Sequence, residues 1–129
     1  MKRIICILLI FYSSITFAEW KLLFTNVNET EWYFDDAKLK KLNNAREVWI
    51  LTNYKTQEFV DGKEYKSIIL KMKFNCSNDD GKVLYSSKRT QFNGYGDILS
   101  IDDFTNKPLD FTIPPNSNLD AVRIAVCKK

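Results

Sequence analysis

Histidine is absent from the 129-residue sequence. That removes the commonest general base, the usual zinc ligand and any triad of the Ser-His-Asp type. Glycine is scarce, with four residues, and none of them builds a Gly-rich phosphate loop. There are three prolines and no Pro/Gly/Ser-rich linker, low-complexity run or internal repeat. Nothing therefore argues for a second domain. Beyond residue 18 no stretch approaches the ~20 apolar residues that a membrane-spanning helix needs. No segment alternates oxygen ligands toward a closing Glu, as a calcium loop would. No metal or cofactor site is expected.

The N-terminus has three zones. Lys2 and Arg3 give a positive start, Ile4 to Tyr12 is almost wholly apolar, and Thr16-Phe17-Ala18 puts small residues at the two positions a signal peptidase reads. This layout predicts a secretory signal over residues 1–18, cleaved between Ala18 and Glu19. The apolar run is about half as long as a membrane anchor requires. Cys6 lies inside that run and not at the cleavage point, so it is not a lipid-attachment cysteine. The remaining domain, 19–129, has a length suited to one folding unit. Losing Lys2 and Arg3 takes the basic count from 19 to 17, against 16 acids. Net charge then gives no support to nucleic-acid binding.

Two cysteines remain, Cys76 and Cys127. An even count in an exported chain points to one disulfide, with two buried free thiols as the alternative. Period-two alternation dominates the chain between them and before them. Trp20, Leu22 and Phe24 share one side of a first strand, and Trp32 to Asp35 forms a short second one. Ala37 to Leu42 suits either a short strand or one helical turn. Glu47 to Tyr54 and Tyr65 to Cys76 read as strong strands, with Asp61-Gly62 as a hairpin turn between them. Asp80-Gly81 reads as the next turn, leading into Lys82 to Phe92, and Asn93-Gly94 and Gly96 break the chain again.

Pro114-Pro115 then stops any strand. Ser117 to Asp120 matches a capping box, and Leu119, Val122, Ala125 and Val126 follow at helical spacing. Cys76 belongs to the apolar face of its strand, so a bridge to Cys127 fixes the helix on that face. The expected fold is α+β: an antiparallel meander with one C-terminal helix packed on one face.

Carboxylate pairs occur at Asp35-Asp36, Asp79-Asp80 and Asp102-Asp103. Adjacent acids on a strand point to opposite faces. A glycosidase needs two carboxylates across a cleft, about 5–10 Å apart. Asp80 is better explained by its turn and Asp102-Asp103 by a loop, and no enzyme is expected. Asn28-Glu29-Thr30 and Asn75-Cys76-Ser77 match the glycosylation sequon, and no role is assigned to them.

Two surface features stand out. Val48, Trp49, Ile50 and Leu51 are apolar on both sides of one strand, whereas one helix covers one face. A loop, a second copy or a partner must cover the other side, so Trp49 and Leu51 are candidate contacts of a homodimer or partner. Ile69, Lys71 and Lys73 point away from the helix and form a candidate protein-binding face, an apolar centre with a charged rim. Lys88 and Arg89 on the next strand extend this basic character.

The assembled residues resemble the surface-adhesin protein E family. The matching pieces are Trp20; Tyr33-Phe34-Asp35; Val48-Trp49-Ile50-Leu51 with Tyr54; Tyr65-Lys66-Ser67; Cys76; Pro115-Asn116-Ser117; and Cys127. Their order spans the whole region after the signal. The resemblance implies a small antiparallel sheet, a C-terminal helix held by a disulfide, and no catalytic residues. It also implies an outer-surface adhesin that binds host extracellular-matrix proteins. The alternative function is a soluble periplasmic accessory or inhibitor protein.

Overall fold

The structure, a computed structural model, describes residues 19–129. The expected signal segment, 1–18, lies outside the described residues. Eight strands form one antiparallel sheet: β1 (Trp20–Thr25), β2 (Glu31–Asp35), β3 (Lys40–Leu42), β4 (Ala45–Val60), β5 (Lys63–Asn75), β6 (Asp80–Arg89), β7 (Ile98–Asp103) and β8 (Leu109–Thr112). The order across the sheet is β1-β2-β4-β5-β6-β7. β3 lies beside the start of β4, and β8 pairs with the start of β6. Among the described residues one α-helix, α1 (Asn118–Cys127), follows the sheet. The expected α+β meander with one helix is thus the fold observed.

The ambiguous segment Ala37 to Leu42 yields a strand, β3, because it pairs with Ala45 to Glu47 across a tight Asn43-Asn44 turn. Asn43 takes a positive φ of 53° there, which asparagine tolerates. The reading of Asp80-Gly81 as a turn is corrected. Both residues belong to β6, and the turn is one step earlier. Asn75 and Asn78 build it, each accepting a backbone N–H two residues on, from Ser77 and Asp80. Gly81 serves packing instead. A Cβ there would lie 3.0 Å from Cε1 of Phe111 and 3.2 Å from Cδ1 of Ile113. Asp102-Asp103, expected in a loop, end strand β7.

Alternation along β4 and β5 puts Val48, Ile50, Met72 and Phe74 on the helix side. There they meet Phe34, Ile113, Val122 and Val126 in one core with almost no exposed surface. The disulfide Cys76–Cys127 joins the end of β5 to the end of α1, with Cα atoms 5.7 Å apart.

The helix starts where its sequence requires. The Ser117 side chain accepts from the Asp120 backbone N–H, satisfying a donor that the helix itself leaves open. Asp120 accepts in turn from the Asn116 backbone N–H at 3.0 Å and from Arg123 at 2.7 Å. Arg123 also reaches Asp79 at 3.6 Å, tying the helix to the turn before β6.

These bonds, Arg123 first and the Asn116 N–H second, hold the Asp120 carboxyl below the usual range. The Lys21 ammonium does the same to Asp36, with which it pairs at 2.7 Å. A carboxyl depressed in the folded state stabilises the fold above its unfolded value, near pH 4, and loses that contribution as pH falls through its folded value. Thermal midpoints should therefore hold steady down to about pH 5 and fall below about pH 4. Asp120→Asn should flatten that acid limb, as a melting series across the range will report.

Candidate protein-binding face

The register decides which residues share the surface opposite the helix. Leu51 pairs with Ile69 and with Tyr33, and Trp49 pairs with Lys71. Lys71 pairs with Tyr85, and Ile69 with Ser87. A bulge in β6 makes this possible: Met72 faces Val83 and Lys71 faces Tyr85, leaving Leu84 as the extra residue. At the other edge Trp20 pairs with Asp35 and Leu22 with Tyr33. One face of the sheet thus gathers side chains from β1, β2, β4, β5 and β6.

Part of that face is covered by the chain itself. After β6 a short 3-10 turn, Phe92–Gly94, folds back over β4 and β5. Two hydrogen bonds tie Asn53 to Asn93, at 2.9 and 2.8 Å. The Ser67 hydroxyl donates to the Gln91 carbonyl at 2.6 Å and accepts from the Gly94 N–H at 3.0 Å. Both Asn53 and Ser67 are buried, so these bonds satisfy groups that would otherwise be stranded.

Leu51, expected at a partner contact, sits beneath this turn with 0% exposure. It is corrected to an internal residue: its side of β4 is covered by residues 91–95 of the same chain. Gly94 makes the cover possible. Its φ is +75°, and a Cβ would stand 2.7 Å from Cδ1 of Ile69. Gly94→Ala should lift the turn from the sheet and raise amide exchange at Asn93 and Gly94, with a loss of about 1–3 kcal/mol. Exchange measured by NMR checks this, and unchanged rates would contradict it.

Trp49 has a different environment. It remains part-exposed, with Tyr85 edge-on at 5.5 Å between ring centres and the Lys71 ammonium 5.3 Å from its own ring centre. Lys71 is also paired with Glu47 at 3.0 Å. Lys73 lies across from Glu47 on the neighbouring strand and is half-buried. It lines a separate open groove of about 690 Å³ at the β6–β8 end, where Lys82 pairs with Asp110. Lys88 pairs across with Ile68 on the helix side, so the four basic residues do not form one patch.

A second, smaller concavity lies next to Trp49. It has a volume of about 380 Å³ and is lined by Trp20, Trp49, Tyr85 and Tyr95 together with Ile69 and Gly94. The structure therefore brings together Trp49 and Ile69, both expected at a surface site. Trp20, Tyr85 and Tyr95 were not expected there. The expected grouping of Trp20, Leu22 and Phe24 on one side of β1 is corrected: a register shift after Leu22 turns Phe24 to Trp32 and the helix-side core, and only Trp20 and Leu22 stay on the face of Trp49. Among the described residues, no group of three or more Cys, Asp or Glu side chains is placed to hold a metal ion.

Residues 20–128 match the family described as surface-adhesin protein E. The chain belongs to the surface-adhesin protein E family. This makes it a surface-adhesin-like protein, and it places the chain among exported or surface proteins. Solved structures agree in fold. Haemophilus influenzae protein E superposes with a TM-score of 0.62 at 16% identity, covering 88% of this chain and 86% of that one. A second crystal form of protein E gives 0.65 at 17% identity, covering 88% and 90%. Protein E from non-typeable Haemophilus influenzae gives 0.60 at 16%, covering 89% and 79%. No curated protein sequence matches this adhesin E-like chain. No helix among its described residues is long and apolar enough to cross a membrane.

Proposed function

We propose that this adhesin E-like domain is exported after cleavage between Ala18 and Glu19 and binds a protein through the sheet face away from α1, without chemistry of its own. The partner is an extracellular-matrix protein of a host. One observation carries the choice of face: the domain's own turn covers Leu51 but leaves Trp49 and Ile69 lining an open aromatic cleft, with the Lys71 ammonium against Trp49. Large aromatic side chains in a concave site are the usual anchors of a protein interface. Lys71 beside Trp49, and Lys73 two residues further along the same side of β5, add positive charge to this face, which speeds encounter with an acidic partner and makes it salt-sensitive.

The test is binding of the purified exported domain to immobilised matrix laid down by cultured cells. Wild type should bind, and binding should weaken as salt rises. Lys71→Glu/Lys73→Glu should lower affinity about tenfold, since two reversed charges on this face change an encounter by about 1–2 kcal/mol. A folded double mutant that binds as well as wild type at low and high salt rules out this face. Capture of an envelope protein in place of matrix would favour a periplasmic accessory role.

A further inference from the structure

We propose that the aromatic cleft beside Trp49 binds a neutral sugar ring. The inference rests on the choice of face made above, but not on the identity of the protein partner. The cleft volume of about 380 Å³ falls within the range of small-ligand pockets. Four aromatic residues line it, Trp20, Trp49, Tyr85 and Tyr95, and the apolar C–H face of a pyranose stacks on rings of this kind. Trp49 is held in place by Tyr85 and by the Lys71 ammonium, so the platform is pre-organised.

The polar groups select the ligand class. Asp35 lines the cleft and is only 1% exposed. Its Oδ1 accepts from the backbone N–H groups of Ala37 and Lys38, at 3.1 and 3.3 Å. Its Oδ2 has no hydrogen-bond partner among the described residues. A carboxylate oxygen accepts only, so a ligand in the cleft meets Oδ2 with a donor. Arg89 also lines the cleft, with Nε donating to Ser87 at 3.1 Å and Nη1 only loosely engaged with the Gly94 carbonyl at 3.5 Å. It has N–H groups to spare for an acceptor. Lys38 is exposed at the rim.

One acid and two bases around the same cavity disfavour both simple classes of ion. A cation reaching Asp35 meets Lys38 and Arg89, and an anion reaching Arg89 meets Asp35. A proline-rich segment would stack on the rings but brings no N–H for Asp35. Hydroxyl groups both donate and accept, and a neutral sugar carries several around one ring. That is the chemistry which satisfies Asp35 and Arg89 together.

Titration of the exported domain with three neutral probes tests this. N-acetyllactosamine and mannotriose represent glycoprotein glycans, and diacetylchitobiose represents the cell-wall type. Tryptophan fluorescence and ligand-observed NMR should show binding of at least one probe at millimolar concentration or tighter. The probe that binds identifies the source. Trp49→Ala and Asp35→Asn should each lower that affinity at least tenfold with the sheet intact by circular dichroism. Trp32→Phe, on the helix side, should leave it unchanged.

Absence of binding by all three probes, or equal binding by folded Trp49→Ala, overturns the inference. So does preferential binding of choline or sulfate. Matrix stripped of glycans separates this inference from the protein-binding proposal. If stripped matrix still binds while free sugars do not, the sugar site falls and the protein partner stands. If free sugars bind while matrix does not, the cleft stands and the matrix partner falls.

Discussion

Phe74→Ala should destabilise the domain by roughly 3–5 kcal/mol, the range for emptying a phenyl-sized core site. Phe74 is fully buried in the cluster between β5 and α1, beside Met72, Val122 and Val126. Total stability of a domain this size is about 5–15 kcal/mol, so the change takes a large fraction of it. Two constraints keep the void from collapsing. β5 is central in the sheet, hydrogen-bonded to β4 and β6, and the disulfide at its end holds the helix at fixed distance. Urea unfolding should show a much lower midpoint with an unchanged slope. A loss below 1 kcal/mol would show that the helix moves in to fill the space.

Removing the disulfide should cost about 2–5 kcal/mol, whether by Cys127→Ser or by the double Cys76→Ser/Cys127→Ser variant. The bridge spans 51 residues of sequence and is the covalent tie of the helix to the sheet. On the chain-entropy account a loop of that length is worth about 4 kcal/mol. The loss should be uneven. α1 is otherwise attached through Leu119, Val122 and Val126 in the core and the Arg123–Asp79 pair, with Arg46 reaching the Lys129 carbonyl just beyond it at 3.4 Å. Hydrogen exchange in the helix should therefore accelerate more than exchange in β4 and β5. Chemical reduction of the wild type should reproduce the pattern. Equal acceleration in helix and sheet would mean that the two open as one unit. Combined with Phe74→Ala, the effects should not add, because both act on the same helix contact.

Much of this fold is written in local pattern. β5 alternates without interruption from Ile68 to Phe74, and that alternation alone sorts Met72 and Phe74 from Ile69 and Lys71. The helix is marked by its cap, since Ser117 performs the bond that its spacing to Asp120 implies. Strands β7 and β8 were not legible. They lie at the sheet edge, where Ile98, Ile101 and Leu109 are about half exposed, so burial leaves no alternation to read. Asp80-Gly81 has the composition of a turn, yet β8 places Phe111 and Ile113 over Gly81 and makes it a strand residue.

The candidate site was legible in part for a related reason. Two-sided apolarity in Val48 to Leu51 correctly signals cover on both faces. Which cover, however, depends on contacts between Asn53 and Asn93, forty residues apart. Aromatic residues from β1, β4, β6 and the turn after β6 meet only through long-range register. No window of sequence contains Trp20, Trp49 and Tyr95 together.

The sheet face opposite the helix is the proposed binding surface. Side-chain oxidation footprinting of the adhesin E-like domain, with and without solubilised host matrix, tests it directly. Tyr95, 68% exposed at the cleft mouth, and Trp49 on its wall should be protected when matrix is present. Phe59 at the far end of β4 and Ile124 on the outer side of α1, both exposed, should react at the same rate in either condition. Protection of Ile124 with Trp49 and Tyr95 unchanged would contradict the account and move the binding surface to the helix.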